Sequence, residues 1–107
     1  MPDQKQAAQQ ALVDRILNGD GRASADQRAR AFSNHGLSAP LDTLIDKVAN
    51  RPTEVTEHDL AAAKAAGCTE DELFELVICA AVGQSSRLYE TGLAALAAAE
   101  GRHGNAS

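Results

Sequence analysis

The chain of 107 residues reads as an all-α protein, a bundle of about five helices. Three observations predict this class. Helix-stop and helix-start signals alternate along the whole length. Between them, apolar residues recur at i, i+3, i+4 and i+7. No stretch shows the period-two alternation of a half-buried strand.

The first helix is expected over Gln4 to Leu17, where Ala8, Ala11, Leu12 and Ile16 recur among Gln, Lys, Asp and Arg. Asn18-Gly19-Asp20-Gly21 ends it, with two glycines free to take positive φ. Ser24 with Gln27 three residues on has the form of a capping box and opens a second helix, Ala25 to Ser33. That helix is basic at Arg28 and Arg30 and stops at Asn34-His35-Gly36. Leu37-Ser38-Ala39-Pro40 opens a third, with proline tolerated in the first turn. Its apolar stripe is Leu41, Leu44, Ile45 and Val48. Asn50-Arg51-Pro52 closes it, because the residue before a proline resists helical angles.

Thr56 caps a fourth helix, with Glu57 and Asp59 in the first turn where the helix dipole favours negative charge. It is alanine-rich from Leu60 to Ala66 and ends at Gly67. The fifth element restarts at once. Thr69 is its cap, Glu72 reaches back to the cap amide, and Cys68 and Leu73 form a hydrophobic staple. Leu76 to Val82 is apolar on every side, so burial all round is expected. Gly83-Gln84-Ser85-Ser86 marks where this helix would bend, and it runs to about Ala99. The whole chain is expected to be one helical domain with its core in residues 24–99, residues 1–3 and 100–107 being flexible tails.

Fifteen acidic against ten basic residues give a formal charge of −5, with no basic patch to suit a phosphate backbone. Nucleic-acid binding is disfavoured. Phe32, Phe74 and Tyr89 are the only aromatic residues, so the core relies on Leu, Ile, Val and Ala. Small side chains bury little area each, and a domain of this size is marginal alone. Self-association through the 70–99 helix is therefore expected. Met1 to Gln10 lacks a charged-then-apolar leader, and the longest strongly apolar run is far short of the ~20 residues that span a membrane. Cys68 and Cys79 match neither a CxxC pair nor a zinc pattern. A cytoplasmic protein with free thiols, no cofactor and no metal is expected.

The short alanine-rich helix ending in Gly67, the restart Thr69-Glu70-Asp71-Glu72, then Phe74-Glu75-Leu76-Val77 and a further alanine-rich helix resemble a recurrent module. It is the core of the carboxymuconolactone decarboxylase and AhpD-like alkylhydroperoxidase superfamily, and the resemblance spans Leu44 to Ala98. It implies an all-helical fold assembled as dimers, trimers or hexamers, with the long helix at the subunit contacts. It also implies, for the redox branch, a Cys-x-x-Cys pair followed by a histidine just before the module. The corresponding positions here hold Pro52, Val55 and Asp59. His58 lies one residue off, a rotation of ~100° on a helix. The dithiol is missing. The decarboxylase branch works without a thiol pair and needs acid/base groups with cations to hold a carboxylated lactone. Arg51, Glu54, Glu57 and His58 are what this segment offers.

Glu54 and His58 are four apart and share a face if the fourth helix begins one turn early, giving a carboxylate-oriented general base. The competing reading, favoured by the capping pattern, is a solvated helix start. Gln84, Ser85, Ser86, Arg87, Tyr89 and Glu90 interrupt the most apolar helix. Arg87 with Tyr89 and Gln84 could bind a small anion between subunits. Alternatively, and with more weight, Arg87 pairs with Glu90 or with a neighbouring subunit's acid and fixes helix register. Cys79 reads as a buried, inert hydrophobe. Cys68, beside a helix N-terminus, is the better candidate for a lowered thiol pKa. A bond between the two is disfavoured by a helical separation of roughly 16 Å. His35 sits at a helix end and His103 in the tail, so spacing indicates no metal site.

Three functions are weighed. The first is an oligomeric auxiliary protein, binding a ligand or a partner protein, on the decarboxylase/AhpD-like plan without its dithiol. The second is a cofactor-free decarboxylase or lyase acting on a small carboxylated lactone or acid. There Glu54 or His58 would be the base, and Arg87 and Tyr89 the anion binders. The third is an alkylhydroperoxidase-like thiol antioxidant using Cys68.

Overall fold

The computed structural model describes residues 4–106, with side chains described over 6–100. Among the described residues there are five α-helices and no strand. They are α1 (Gln4–Asn18), α2 (Ala25–Ser33), α3 (Leu41–Asn50), α4 (Glu57–Ala65) and α5 (Glu70–Ala106), with a 3-10 turn at Pro52–Glu54 before α4. The all-α class is as expected.

Local chemistry sets the helix ends. Ser24 Oγ accepts from the Gln27 amide at 3.1 Å, although Gln27 does not complete a reciprocal box. Asn34 closes α2 in the left-handed conformation at φ 54°. Thr56 and Asp59 form a full capping box, the Thr56 amide donating to Asp59 Oδ2 at 2.9 Å and the Asp59 amide to Thr56 Oγ1 at 3.2 Å. Thr69 and Glu72 repeat it at the start of α5, with distances of 3.0 and 3.2 Å. Gly67 separates α4 from α5 at φ 106°, a conformation that penalises any Cβ. Gly19 and Gly21, by contrast, are not among the positive-φ glycines. Gly21 is needed for close approach instead, since a Cβ there would overlap the Glu75 carboxylate.

The bundle is organised around α5. Its 37 residues span about 55 Å at 1.5 Å per residue, most of the molecule's 60 Å length. It runs uninterrupted through Gly83–Ser86 and past Ala99 to Ala106. The segment 100–106, expected as a tail, is therefore helical; residues 1–3 and 107 lie outside the described residues.

Two apolar clusters pack against the first half of α5. Leu76, Cys79 and Ala80 meet Ala23 and Ala31 of the α2 region and Ile45 of α3. Leu73 meets Leu44 of α3 and Ala63 of α4, with Cys68 alongside as the staple requires. Small residues let α2 lie close: a Cβ on Gly83 would overlap the Phe32 backbone carbonyl. The expectation that Leu76 to Val82 is buried on every side is corrected here. Val77, Ile78 and Val82 are half-buried and Ala81 is exposed, because α1 to α4 cover one side of α5 and leave the other bare.

Candidate functional site

The polar band of α5 meets the end of α2 and the start of α1. Arg87 Nη1 donates to the Phe32 carbonyl at 2.7 Å, while Nε and Nη2 both donate to Gln84 Oε1 at 3.2 and 3.0 Å. The expected Arg87–Glu90 pair does not form. A carbonyl in the last turn of α2 has no partner within its own helix, so the guanidinium satisfies a group the fold leaves open. Gln84 orients it. At the adjacent position, Gln9 Nε2 of α1 donates to the buried Ser86 Oγ at 2.7 Å.

Between these helices lies a cleft of about 220 Å³. Arg87 and Tyr89 line it together with Ser86, Glu90, Phe32 and the glutamines Gln6, Gln9 and Gln10. Arg87 and Tyr89 both line this cleft, whereas Gln84 supports it from outside its lining. Ser86, Glu90 and the three glutamines join the lining beyond the residues the sequence pattern points to. The available signal was the i, i+3, i+4 spacing of Gln6, Gln9 and Gln10, a polar stripe on one helical face.

The other proposed residues lie elsewhere. Glu54 is in the 3-10 turn and His58 in the first turn of α4, with Val55 extended between them. A helix starting one turn early would have put them on one face; the chain breaks at Val55, and no hydrogen bond joins them. Glu54 instead pairs with Arg51 at 3.3 Å, and His58 is exposed. Neither lines the cleft of Arg87 and Tyr89. Asp59, at the expected histidine position, is occupied by its capping role and by Lys47, whose Nζ donates to both oxygens at 3.1 and 2.9 Å. Those bonds, with the Thr56 amide, hold its carboxyl below the ordinary range.

Cys68 and Cys79 are free thiols. The expected lowering of the Cys68 pKa is reversed: burial pushes it up, and the Glu72 carboxylate adds to the shift. Its own capping box supplies that charge, so the helix start which suggested a thiolate also opposes it. Burial likewise raises the Cys79 thiol, against the opposing pull of Arg28.

Arg28 was noted only as basic, yet it is 8% exposed. Its Nη1 donates to the carbonyls of Gly19 and Ile16 at 2.6 and 3.2 Å, closing the end of α1. Beside it, the Glu75 carboxylate accepts from the amides of Arg22 and Ala23 at 2.8 and 3.0 Å. The two side chains fix the α1–α2 loop on α5. Among the described residues no group of His, Cys, Asp and Glu could hold a metal ion, and no helix is long and apolar enough to cross a membrane. Comparison of the chain with protein-family models, with curated proteins and with solved structures finds no match.

Proposed function

We propose that this chain is an oligomeric helical binding protein on the carboxymuconolactone decarboxylase/AhpD-like plan, working without that family's dithiol. In this reading α5 is the working element, and its task is to assemble rather than to catalyse. One observation carries the reading. Phe74, Leu88 and Leu96 stand 66%, 63% and 61% exposed along α5, whose first half packs its other side into the core. Large apolar side chains gathered on one helix mark a surface that is covered in use. The replacement of the thiol positions by Pro52 and Val55 supports the non-catalytic half. Sedimentation at micromolar concentration is expected to give an oligomer, and a peroxide-consumption assay no robust turnover. A compact monomer would overturn the first half. Turnover abolished in a Cys68→Ser, Cys79→Ser double variant would overturn the second.

A second reading is favoured by the cleft between α1 and α5. Its volume of about 220 Å³ and its Arg87, Tyr89 and Glu90 wall suit a small polar or carboxylated molecule. On this reading a decarboxylase-type reaction would draw on Tyr89 and Glu90, not on Glu54 and His58. Calorimetric titration with small mono- and dicarboxylates tests it, binding being expected to weaken in Tyr89→Phe.

A further inference from the structure

We propose that the bare face of α5 is covered by the α5 of a second copy of this chain, running antiparallel, with a two-fold axis between Ser85 and Leu88. This rests on the assembly reading above and goes beyond it in naming partner, direction and register.

The bare face is a seam with alternating steps of four and three residues: Phe74, Ile78, Ala81, Ser85, Leu88, Gly92, Ala95, Ala99. Ile78 is half-buried and the other seven are exposed. A seam of average period 3.5 is what two helices need to stay in contact over several turns. The seam is also asymmetric along its length, with Phe74 and Ile78 at the N-terminal end, Leu88 near the middle and only small seam residues beyond it. Set antiparallel about the stated axis, the eight positions match in pairs: Phe74 with Ala99, Ile78 with Ala95, Ala81 with Gly92, and Ser85 with Leu88. Every large residue meets a small one, and every pair occurs twice by symmetry. A parallel pair would instead set Phe74 on Phe74 and Leu88 on Leu88, large on large, while Gly92, Ala95 and Ala99 would each meet only their own small copies.

Gly92 gives an independent reason. It lies inside a helix, where glycine is less stable than alanine, yet a Cβ there would meet nothing within 4 Å. Among the described residues nothing packs against it. A second helix backbone passing close at Ala81 would. Antiparallel α5 helices also place opposite dipole ends together. The arrangement accounts for the second half of α5, where residues 91–100 are all exposed in the single chain. That arm lies along the partner's Phe74–Ala81 segment.

Cross-linking between single-cysteine additions tests the register. Ala81→Cys and Gly92→Cys are exposed, and the first lies opposite the second across the pair. Position 81 is offset from its own counterpart by eleven residues, about 16 Å along the axis. The two variants are made separately and also co-expressed, then treated with a bifunctional thiol reagent shorter than that offset, and the joined peptides are identified by mass. The expected result is an 81–92 link in the co-expressed sample and no 81–81 or 92–92 link in either variant alone. Links at 81–81 would mean parallel pairing and overturn the proposal while leaving assembly through α5 intact. An oligomer by sedimentation with no link at either position would place the contact elsewhere and overturn it too. A monomer would remove both readings. Gly92→Leu supplies a second measure: the dissociation constant should rise roughly ten- to hundred-fold, with the helical circular dichroism of the monomer unchanged. An unaltered constant would overturn the proposed contact.

Discussion

Arg87 reaches from the middle of α5 to the Phe32 carbonyl at 2.7 Å, where the backbone of α2 packs directly on α5. Gly83, one turn earlier, makes that approach possible, because any Cβ there would occupy the place of the same carbonyl oxygen. The two residues act as one device: Gly83 admits the end of α2, and Arg87 satisfies the carbonyl that arrives.

Gly83→Ala should therefore destabilise the protein, although alanine is the better helix former. Overpacking against backbone costs about 1–3 kcal/mol, more than the 0.5–1 kcal/mol or so of gained propensity. Arg87→Met should lose about 1.5–3 kcal/mol, the range for a hydrogen bond from a charged group. Urea midpoints for the two single variants and the double variant check both. The double variant should fall short of additivity, since once α2 has been pushed off α5 the Arg87 bond is already lost.

Glu75→Gln should loosen the α1–α2 loop. A carboxamide turned toward the amides of Arg22 and Ala23 offers one oxygen in place of two, and the loss is about 1–3 kcal/mol. Hydrogen exchange should report it locally, as faster exchange at Arg22 and Ala23 with α4 unaffected. Gly21→Ala, which drives a methyl into the same carboxylate, should show the same local signature.

Acid should destabilise the fold through three carboxylates. Hydrogen bonds from Asn34 first, then Asn50 and Arg51, depress Asp46; Lys47 and the Thr56 amide depress Asp59; the Thr69 amide depresses Glu72. Each has a folded pKa below its unfolded value, so its contribution is fully present above the unfolded pKa of about 4. That contribution is lost as the pH falls through the folded values. Stability should be flat in these groups from pH 7 to about 5 and decline below about 4. Asp59→Asn should be less stable at neutral pH and show a shallower acid decline, measured as urea midpoints between pH 3 and 7.

The thiols should be slow. With both pKa values raised by burial, alkylation by iodoacetamide at pH 7 should be slower in the native protein than after denaturation. Cys79, packed inside the core, should lag behind the half-buried Cys68. Mass spectrometry over a time course separates the two. A Cys68 that reacts faster in the native state would restore a thiolate role.

What the sequence determined by itself was local. The ends of α2, α3 and α4, the Thr56 cap, the Thr69–Glu72 box, the turn at Gly67 and the stripe on α3 are each decided by residues within about one helical turn of one another. The tertiary structure alone decided how these pieces face one another. Whether Leu76 to Val82 is buried all round depends on where α1 to α4 land, and they land on one side. The partner of Arg87 lies 55 residues away, so an i, i+3 rule naming Glu90 could not have found the Phe32 carbonyl. The Glu54–His58 face dissolved because Pro52 and extended Val55 end the regular spacing on which it relied. Helix capping is a short-range bond that the sequence spells out, whereas burial is a property of surfaces that meet only after the chain has folded.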